Sequence, residues 1–161
     1  MNAVLSSIYI GVGATVVMDT WGVVRKSLLG MPAADYGMVG RWIGHMARGT
    51  FRHDRIAAAA PIAGERVIGW TAHYAIGVIF SAGLIWTVSS EWLLRPTLVP
   101  ALAFGIVTVA APLLLMQPGM GAGVAASRTP KPWSVRLHSL MTHTVFGIGL
   151  WLAAWLQTLV K

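Results

Sequence analysis

The chain has 161 residues, of which 56% are hydrophobic and only 11% carry a formal charge. A soluble domain has about 25% charged residues, so this composition indicates that lipid is the main solvent. The sequence contains no cysteine, which excludes disulfides, thiolate zinc sites and cysteine-ligated iron–sulfur clusters. The net charge of +7 does not call for a nucleic-acid partner, because no basic module of the kind that contacts bases is visible.

Four apolar runs are each long enough to cross a bilayer as a helix, which takes roughly 20 residues. Pro112 lies inside the third run and is expected to kink it. The sequence therefore predicts an all-α polytopic membrane protein, a single membrane domain over residues 1–161. Two tandem helical hairpins are a further expectation. The predicted spans are Ala3–Val24, Val67–Val88, Leu98–Met116 and Leu137–Val160.

Basic residues are unevenly distributed between the two sides of the predicted membrane. Seven flank or fill the first loop and three belong to the third loop, which leaves Arg95 and Lys161 for the opposite side. Because Lys and Arg are enriched in cytoplasmic loops, loops 25–66 and 117–136 are expected in the cytoplasm and both termini outside it.

The second and fourth spans share a short pattern, in which Arg is followed after six residues by His and after three more by Gly. The matching residues are Arg66, His73 and Gly77 in one span, and Arg136, His143 and Gly147 in the other. Each Gly is expected to let two helices approach closely. The alternative is that it makes room for a flat ligand beside the imidazole.

Three titratable side chains are predicted at one depth in the membrane. His73 and His143 each follow an Arg by seven residues, or about 10 Å of helix, and Asp19 precedes Arg25 by six, or about 9 Å. Charged groups in lipid are costly and normally face the bundle interior, where they pair. An internal site of Asp19, His73 and His143 follows, with Met116 and Gln117 close to its level. Interhelical hydrogen bonding without any further function is the alternative.

The first loop contains "YGMVGRWIGHMARGTFRHDRIAAAAPIAGER" and is long for so small a membrane protein. Its basic side chains recur at helical spacing, which predicts an amphipathic segment at the membrane surface facing anionic headgroups. A lid that places His45 and His53 over the membrane site is the second interpretation. The residues of the predicted surface segment are Arg41, His45, Arg48 and Arg52.

Three classes of function fit these residues. The first is transport or permeation of a proton, cation or metal ion past Asp19, His73 and His143. The second is a redox protein in which His73 and His143 bind haem b or a transition metal. The third is a non-catalytic assembly partner. Enzymatic activity is not favoured, since HExxH, GxSxG and a Cys nucleophile are absent from the sequence. A four-helix bundle has little interior for a pathway, so a homo-oligomer is expected.

Three stretches carry a resemblance to a known family: "YGMVGRWIGHMARGTFRHDRI", "AGERVIGWTAHYAIG" and "AAPLLLMQPGMGAGVAASRTP". They resemble the bacterial membrane-protein family catalogued as domain of unknown function 2938. The resemblance extends over nearly the whole chain and implies a four-span protein of the bacterial inner membrane. It implies no activity and no site, so the functional argument depends on the residues above.

Overall fold

A computed structural model describes residues 2–31 and 34–160 of the chain. These residues form helices and turns without any strand. Lys161, which entered the charge comparison above, and residues 32–33 of the first loop lie outside the described part. Four helices in the described part are long and apolar enough to cross a membrane, which confirms the predicted all-α membrane protein with four spans. They are Ala3–Leu28, Glu65–Val88, Leu98–Met120 and Pro132–Leu159.

All four spans are longer than predicted, because residues outside the apolar runs form their ends. Helix α1 comprises Ala3–Leu29; the Asn2 side chain accepts a hydrogen bond from the Leu5 amide at 2.9 Å, and the helix ends at Gly30 with φ of 62°. Helix α3 comprises Glu65–Val88 and helix α6 comprises Pro132–Leu159. Proline suits the first turn of a helix, where an amide hydrogen would have no partner. Hydropathy alone therefore places these boundaries too far inside the helices.

The third span is interrupted, as the position of Pro112 predicts. Helix α4 comprises Leu98–Val107, a turn follows, and Pro112–Met116 is π-helical before helix α5, Gln117–Met120. Proline has no amide hydrogen to bond the carbonyl four residues earlier, so the regular helical pattern is lost around it. The structure thus shows a local change of helix type at Pro112, and the kink itself stays a prediction.

The remaining helix, α2, comprises Tyr36–Met46 in the first loop. The Asp35 side chain caps it by accepting from the Gly37 amide at 2.9 Å. Short 3-10 turns complete the connections at Ile56–Ala58, Ser90–Leu93 and Val124–Ala126.

The chain divides into two compact units. Among the described residues, unit 1 comprises 2–31, 74–108 and 141–160, and unit 2 comprises 34–73 and 109–140. Unit 1 holds the main apolar core, in which the most deeply buried large side chains are Ile10, Leu84, Phe146 and Leu150.

Glycine contacts join the helices of unit 1 in pairs. A Cβ on Gly11 of α1 would lie 2.5 Å from Val78 Cα on α3 and 2.7 Å from the carbonyl oxygen of Gly77. On the other pair, Gly105 of α4 lies against Gly147 of α6, where a Cβ on Gly147 would lie 2.9 Å from Leu102 Cα. The prediction that Gly77 and Gly147 serve close helix packing is confirmed.

Candidate functional site

A carboxyl–phenol pair joins α1 and α3 inside unit 1. Tyr74 Oη donates a hydrogen bond to Asp19 Oδ2 at 3.0 Å, and both side chains are partly buried. A carboxylate in a bundle of apolar helices is costly unless it is paired, and the phenol hydroxyl is a suitable partner because it donates without adding charge. Asp19 is thus held by a neutral neighbour on another helix.

A second polar pair joins α4 and α6, also inside unit 1. Thr108 Oγ1 donates to the Gly105 carbonyl oxygen at 2.6 Å and lies 2.8 Å from His143 Nδ1. A hydroxyl has one hydrogen, and a carbonyl can only accept, so that hydrogen is used in the bond to Gly105. Nδ1 of His143 must therefore supply its own hydrogen to Thr108. In the neutral ring, the lone pair is then on Nε2.

The register of α1 against α6 brings these two pairs to a similar level. A Cβ on Gly149 of α6 would lie 2.9 Å from Ala14 Cα and 3.1 Å from Val17 Cβ on α1. The helices are antiparallel, so Asp19, two residues beyond Val17, is level with residues 144–147. His143 is about one helical turn or less from that level. Unit 1 thus carries Asp19 and His143 on different helices at neighbouring heights.

His73 belongs to unit 2 and has aromatic surroundings there. Its ring stacks on Tyr36 with centroids 4.1 Å apart and an interplanar angle of 27°, and Trp70 approaches it edge-on at 5.8 Å. Asp19 and His143 are in unit 1. The shared site of all three predicted residues stays a prediction.

Met116 and Gln117, the other residues predicted near the site, also belong to unit 2. Met116 ends the π-helical segment and Gln117 begins α5. Gln117 is buried, and its Oε1 has no hydrogen-bond partner among the described residues. Its backbone carbonyl accepts from the Ala122 amide at 2.8 Å, which closes the turn after α5.

Helix α2 packs against the beginning of α3 through backbone contacts. A Cβ on Gly40 would overlap the Glu65 carbonyl oxygen, and one on Gly69 would overlap the Tyr36 carbonyl oxygen. Only glycine at these positions allows so close an approach. The face of α2 that is buried is therefore the glycine face.

Arg41 occupies the same buried side of α2, and this corrects one expectation from the sequence. Its Nε and NH2 each donate to a Glu65 carboxylate oxygen at 2.8 Å, and NH1 reaches the Ala59 carbonyl oxygen at 3.3 Å. The hydrogen bond to Glu65 raises the pKa of Arg41 above its ordinary value. The guanidinium is thus engaged within unit 2 instead of facing headgroups.

The predicted helical face of Arg41, His45, Arg48 and Arg52 is also wrong in its extent. Helix α2 ends at Met46, so Arg48 and Arg52 follow it in an exposed loop. The helix itself is amphipathic as predicted, but the basic residues after it are not on its face.

His45 and His53 lie side by side in unit 2. Their ring centroids are 4.9 Å apart at an angle of 71°, and His45 Nε2 lies 2.9 Å from the Ala60 carbonyl oxygen. The His53 amide donates to the Gly119 carbonyl oxygen at 2.9 Å, which fastens this loop to α5. Two imidazoles in contact are fewer ligands than most metal sites use. In the described residues, no group of three or more His, Asp or Glu side chains could hold a metal ion.

Sequence reasoning did not identify Tyr74 and Thr108 as partners of the titratable residues. For Thr108, the sequence does contain an indication. Thr108 precedes Pro112 by four residues, and its carbonyl has no helical partner because proline lacks an amide hydrogen. Tyr74 lies in an apolar run, and nothing in the hydropathy pattern indicates that it is a partner of Asp19.

The comparisons with known proteins give a family and no activity. The sequence matches the model of the family described as "Protein of unknown function (DUF2938)" over residues 8–157. Neither the curated proteins nor the solved structures include a match to the chain. With the match covering nearly all of the sequence, the four-span chain belongs to the DUF2938 family.

Proposed function

We propose that this protein transports a proton or a small cation across the membrane, with Asp19 and His143 as its titratable groups. The observation that carries the proposal is their placement in unit 1. Two ionisable side chains on different membrane helices lie at neighbouring heights, each hydrogen-bonded to a neutral partner. Ionisable groups inside membrane spans most often mark ion pathways and proton relays.

The interruption after α4 supports the same function. Thr108, the partner of His143, is the first residue after regular α4, and π-helical backbone follows from Pro112. Irregular backbone at membrane depth is tolerated where it is buried in protein or lines a water-filled cavity, and π-helical segments occur often at functional sites. His143 is thus bonded to the residue at which the regular part of the third span ends.

The bacterial inner membrane is the proposed location, with both termini outside the cytoplasm. The support is the excess of Lys and Arg in loops 25–66 and 117–136. Exposed Arg48 and Arg52 are proposed to contact anionic headgroups. A homo-oligomer is proposed because a single four-helix bundle has little room for a pathway.

The test is ion flux into liposomes that contain the purified protein, driven by an imposed membrane potential. Asp19→Asn keeps an acceptor for Tyr74, and His143→Gln keeps hydrogen-bonding capacity, but neither replacement titrates near neutral pH. Both should reduce flux to the level of protein-free vesicles. Glu91→Gln is the matched control, because it removes one negative charge from an exposed turn of the same unit. Variants that fold and transport like wild type would refute the assigned role of Asp19 and His143. Wild-type protein without flux would refute transport and favour the assembly-partner alternative.

A second candidate, binding of haem b or a transition metal, is favoured by one contact. Histidine ligands usually bind metal through one ring nitrogen while the other donates to a neighbouring group. Thr108 accepts from Nδ1 of His143, which is the contact to a neighbouring group that such a ligand makes. Purified protein should then show a Soret band or stoichiometric metal that is lost in His143→Ala. A colourless, metal-free protein with ion flux would exclude this candidate.

A further inference from the structure

A further cluster of polar side chains lies in unit 1, near the beginning of α1 and the end of α6. Ser6, Ser81 and Gln157, here called the terminal polar cluster, have exposed fractions of 0%, 0% and 2%. Gln157 Nε2 donates to Ser6 Oγ at 2.9 Å and so links α6 to α1. None of these side chains carries a charge, and none was identified from the sequence.

Two atoms of the terminal polar cluster lack a protein partner. Gln157 Oε1 and Ser81 Oγ are buried and make no hydrogen bond to any described residue. Turning the amide of Gln157 would exchange its two ends and still leave one of them unbonded. Burying such groups unsatisfied is unfavourable, and in folded proteins water molecules usually bond to them.

Helix register places the two atoms at one height along α1, beside adjacent residues of that helix. Gly11 of α1 contacts Gly77 of α3. Ser7 lies one helical turn before Gly11, and Ser81 lies one helical turn after Gly77, so the two serines are at the same height. Ser81 is four residues after Gly77 and is on the same face of α3. Gln157 meets α1 at Ser6, the residue next to Ser7. Ser81 and Gln157 therefore both face the Ser6–Ser7 step of α1.

We propose that the terminal polar cluster binds water, which bridges Ser81 Oγ and Gln157 Oε1. The chemistry favours water because the site offers hydroxyl and amide groups and no charge to stabilise a bare ion or an anion. This inference depends on the proposed transport function for its second part. In the proposed pathway, this water is a second proton-binding position, in addition to Asp19 and His143. The transported species is the proton, because water, hydroxyl and carboxyl groups can pass it on.

Apolar side chains separate this cluster from Asp19 and His143. Ile10 of α1 and Leu150 of α6 lie at heights between them, and both side chains have exposed fractions of 0%. His143 and Gln157 are 14 residues apart on α6, or about 21 Å. Hydrophobic constrictions gate ion pathways by excluding water. The described conformation is therefore closed, and the proton passes only when this apolar layer opens.

A double-mutant cycle of Ser81→Ala and Gln157→Met tests the water site, with unfolding of the purified protein in micelles as the measurement. A bridging water couples the two positions. The change in unfolding equilibrium constant for the double variant should then differ by at least about fivefold from the product of the single changes. Thr158→Val combined with Ser81→Ala is the control and should be additive, because the Thr158 hydroxyl donates an exposed hydrogen bond to the Trp155 carbonyl in its own helix. Additive effects of Ser81→Ala and Gln157→Met would overturn the inference.

Proton flux in liposomes on the same variants tests the second part. Both single variants should transport more slowly than wild type while Thr158→Val does not. Coupled positions with unchanged proton flux would leave the water site in place and overturn its role in transport. Wild-type protein without any flux would refute the proposed function, while the thermodynamic cycle would still decide the water site.

Discussion

Replacing Thr108 by Val is the most informative single change in unit 1. Valine keeps the shape of the side chain and removes Oγ1, the atom that contacts both the Gly105 carbonyl oxygen and His143 Nδ1. Thr108 is 7% exposed, so water cannot readily replace the lost partner. The Nδ1 hydrogen of His143 would be left without its acceptor on α4.

The expected loss of stability follows from that contact. Hydrogen bonds between membrane helices contribute about 0.6 kcal/mol on average and up to about 1.7 kcal/mol, while an unsatisfied buried donor costs about 1–3 kcal/mol. We therefore expect Thr108→Val to lower the free energy of unfolding by about 1–2 kcal/mol. Thr108→Ser retains the hydroxyl and should lose less.

Titration of the purified protein from mild detergent into SDS, followed by tryptophan fluorescence, measures the free energy of unfolding. In liposomes, the two variants should differ in ion flux. Thr108→Val should reduce the flux and Thr108→Ser should retain it, because only serine keeps the hydroxyl that orients His143. Equal stability and equal flux of the two variants would refute the assigned role of Thr108.

Three further predictions concern packing, the apolar layer and topology. Gly40→Ala should lower the free energy of unfolding by about 1–3 kcal/mol through overpacking against Glu65. Gly22→Ala is the control and should not destabilise the protein, because a Cβ at Gly22 would have no neighbour within 4 Å. Equal thermal stabilities of the two variants would contradict the glycine contact. Leu150→Ala should cost about 2–5 kcal/mol and raise the basal proton leak of liposomes; a folded variant without added leak would argue against a closed apolar layer. Reporter fusions should locate both termini outside the cytoplasm, and a cytoplasmic C-terminus would reverse the orientation.

The four spans could be predicted because each is a long apolar run, and length and hydropathy are sufficient to recognise such helices. The break in the third span followed from Pro112, whose effect on a helix is local. Ends were less predictable: α6 begins at Pro132, five residues before the predicted Leu137, because a helix can continue through polar residues.

The predicted surface segment shows why burial was misjudged in the first loop. A hydropathy pattern assigns charged residues to the exposed face, but α2 buries Arg41 together with Gly37 and Gly40. Glycine gives almost no hydropathy signal, and the Arg41 charge is compensated by Glu65, which is 24 residues away in the sequence. Neither the close backbone approach nor that pairing can be read from local periodicity.

The sequence indicates the titratable residues of the candidate site, but it does not indicate the residues to which they are hydrogen-bonded. Asp19 and His143 are conspicuous because charged or titratable groups are rare in apolar spans. Tyr74 and Thr108 are ordinary residues in such spans, and only the packing of α1 on α3 and of α4 on α6 shows that they contact Asp19 and His143.

Proton uptake by liposomes containing the wild-type protein or Asp19→Asn tests the central claim most directly. A pH-sensitive dye inside the vesicles reports uptake under an imposed membrane potential, with protein-free vesicles as the baseline. The account predicts uptake above the baseline for wild type and uptake at the baseline for Asp19→Asn, with both proteins equally stable. Uptake by both proteins at equal rates, or by neither, would contradict it.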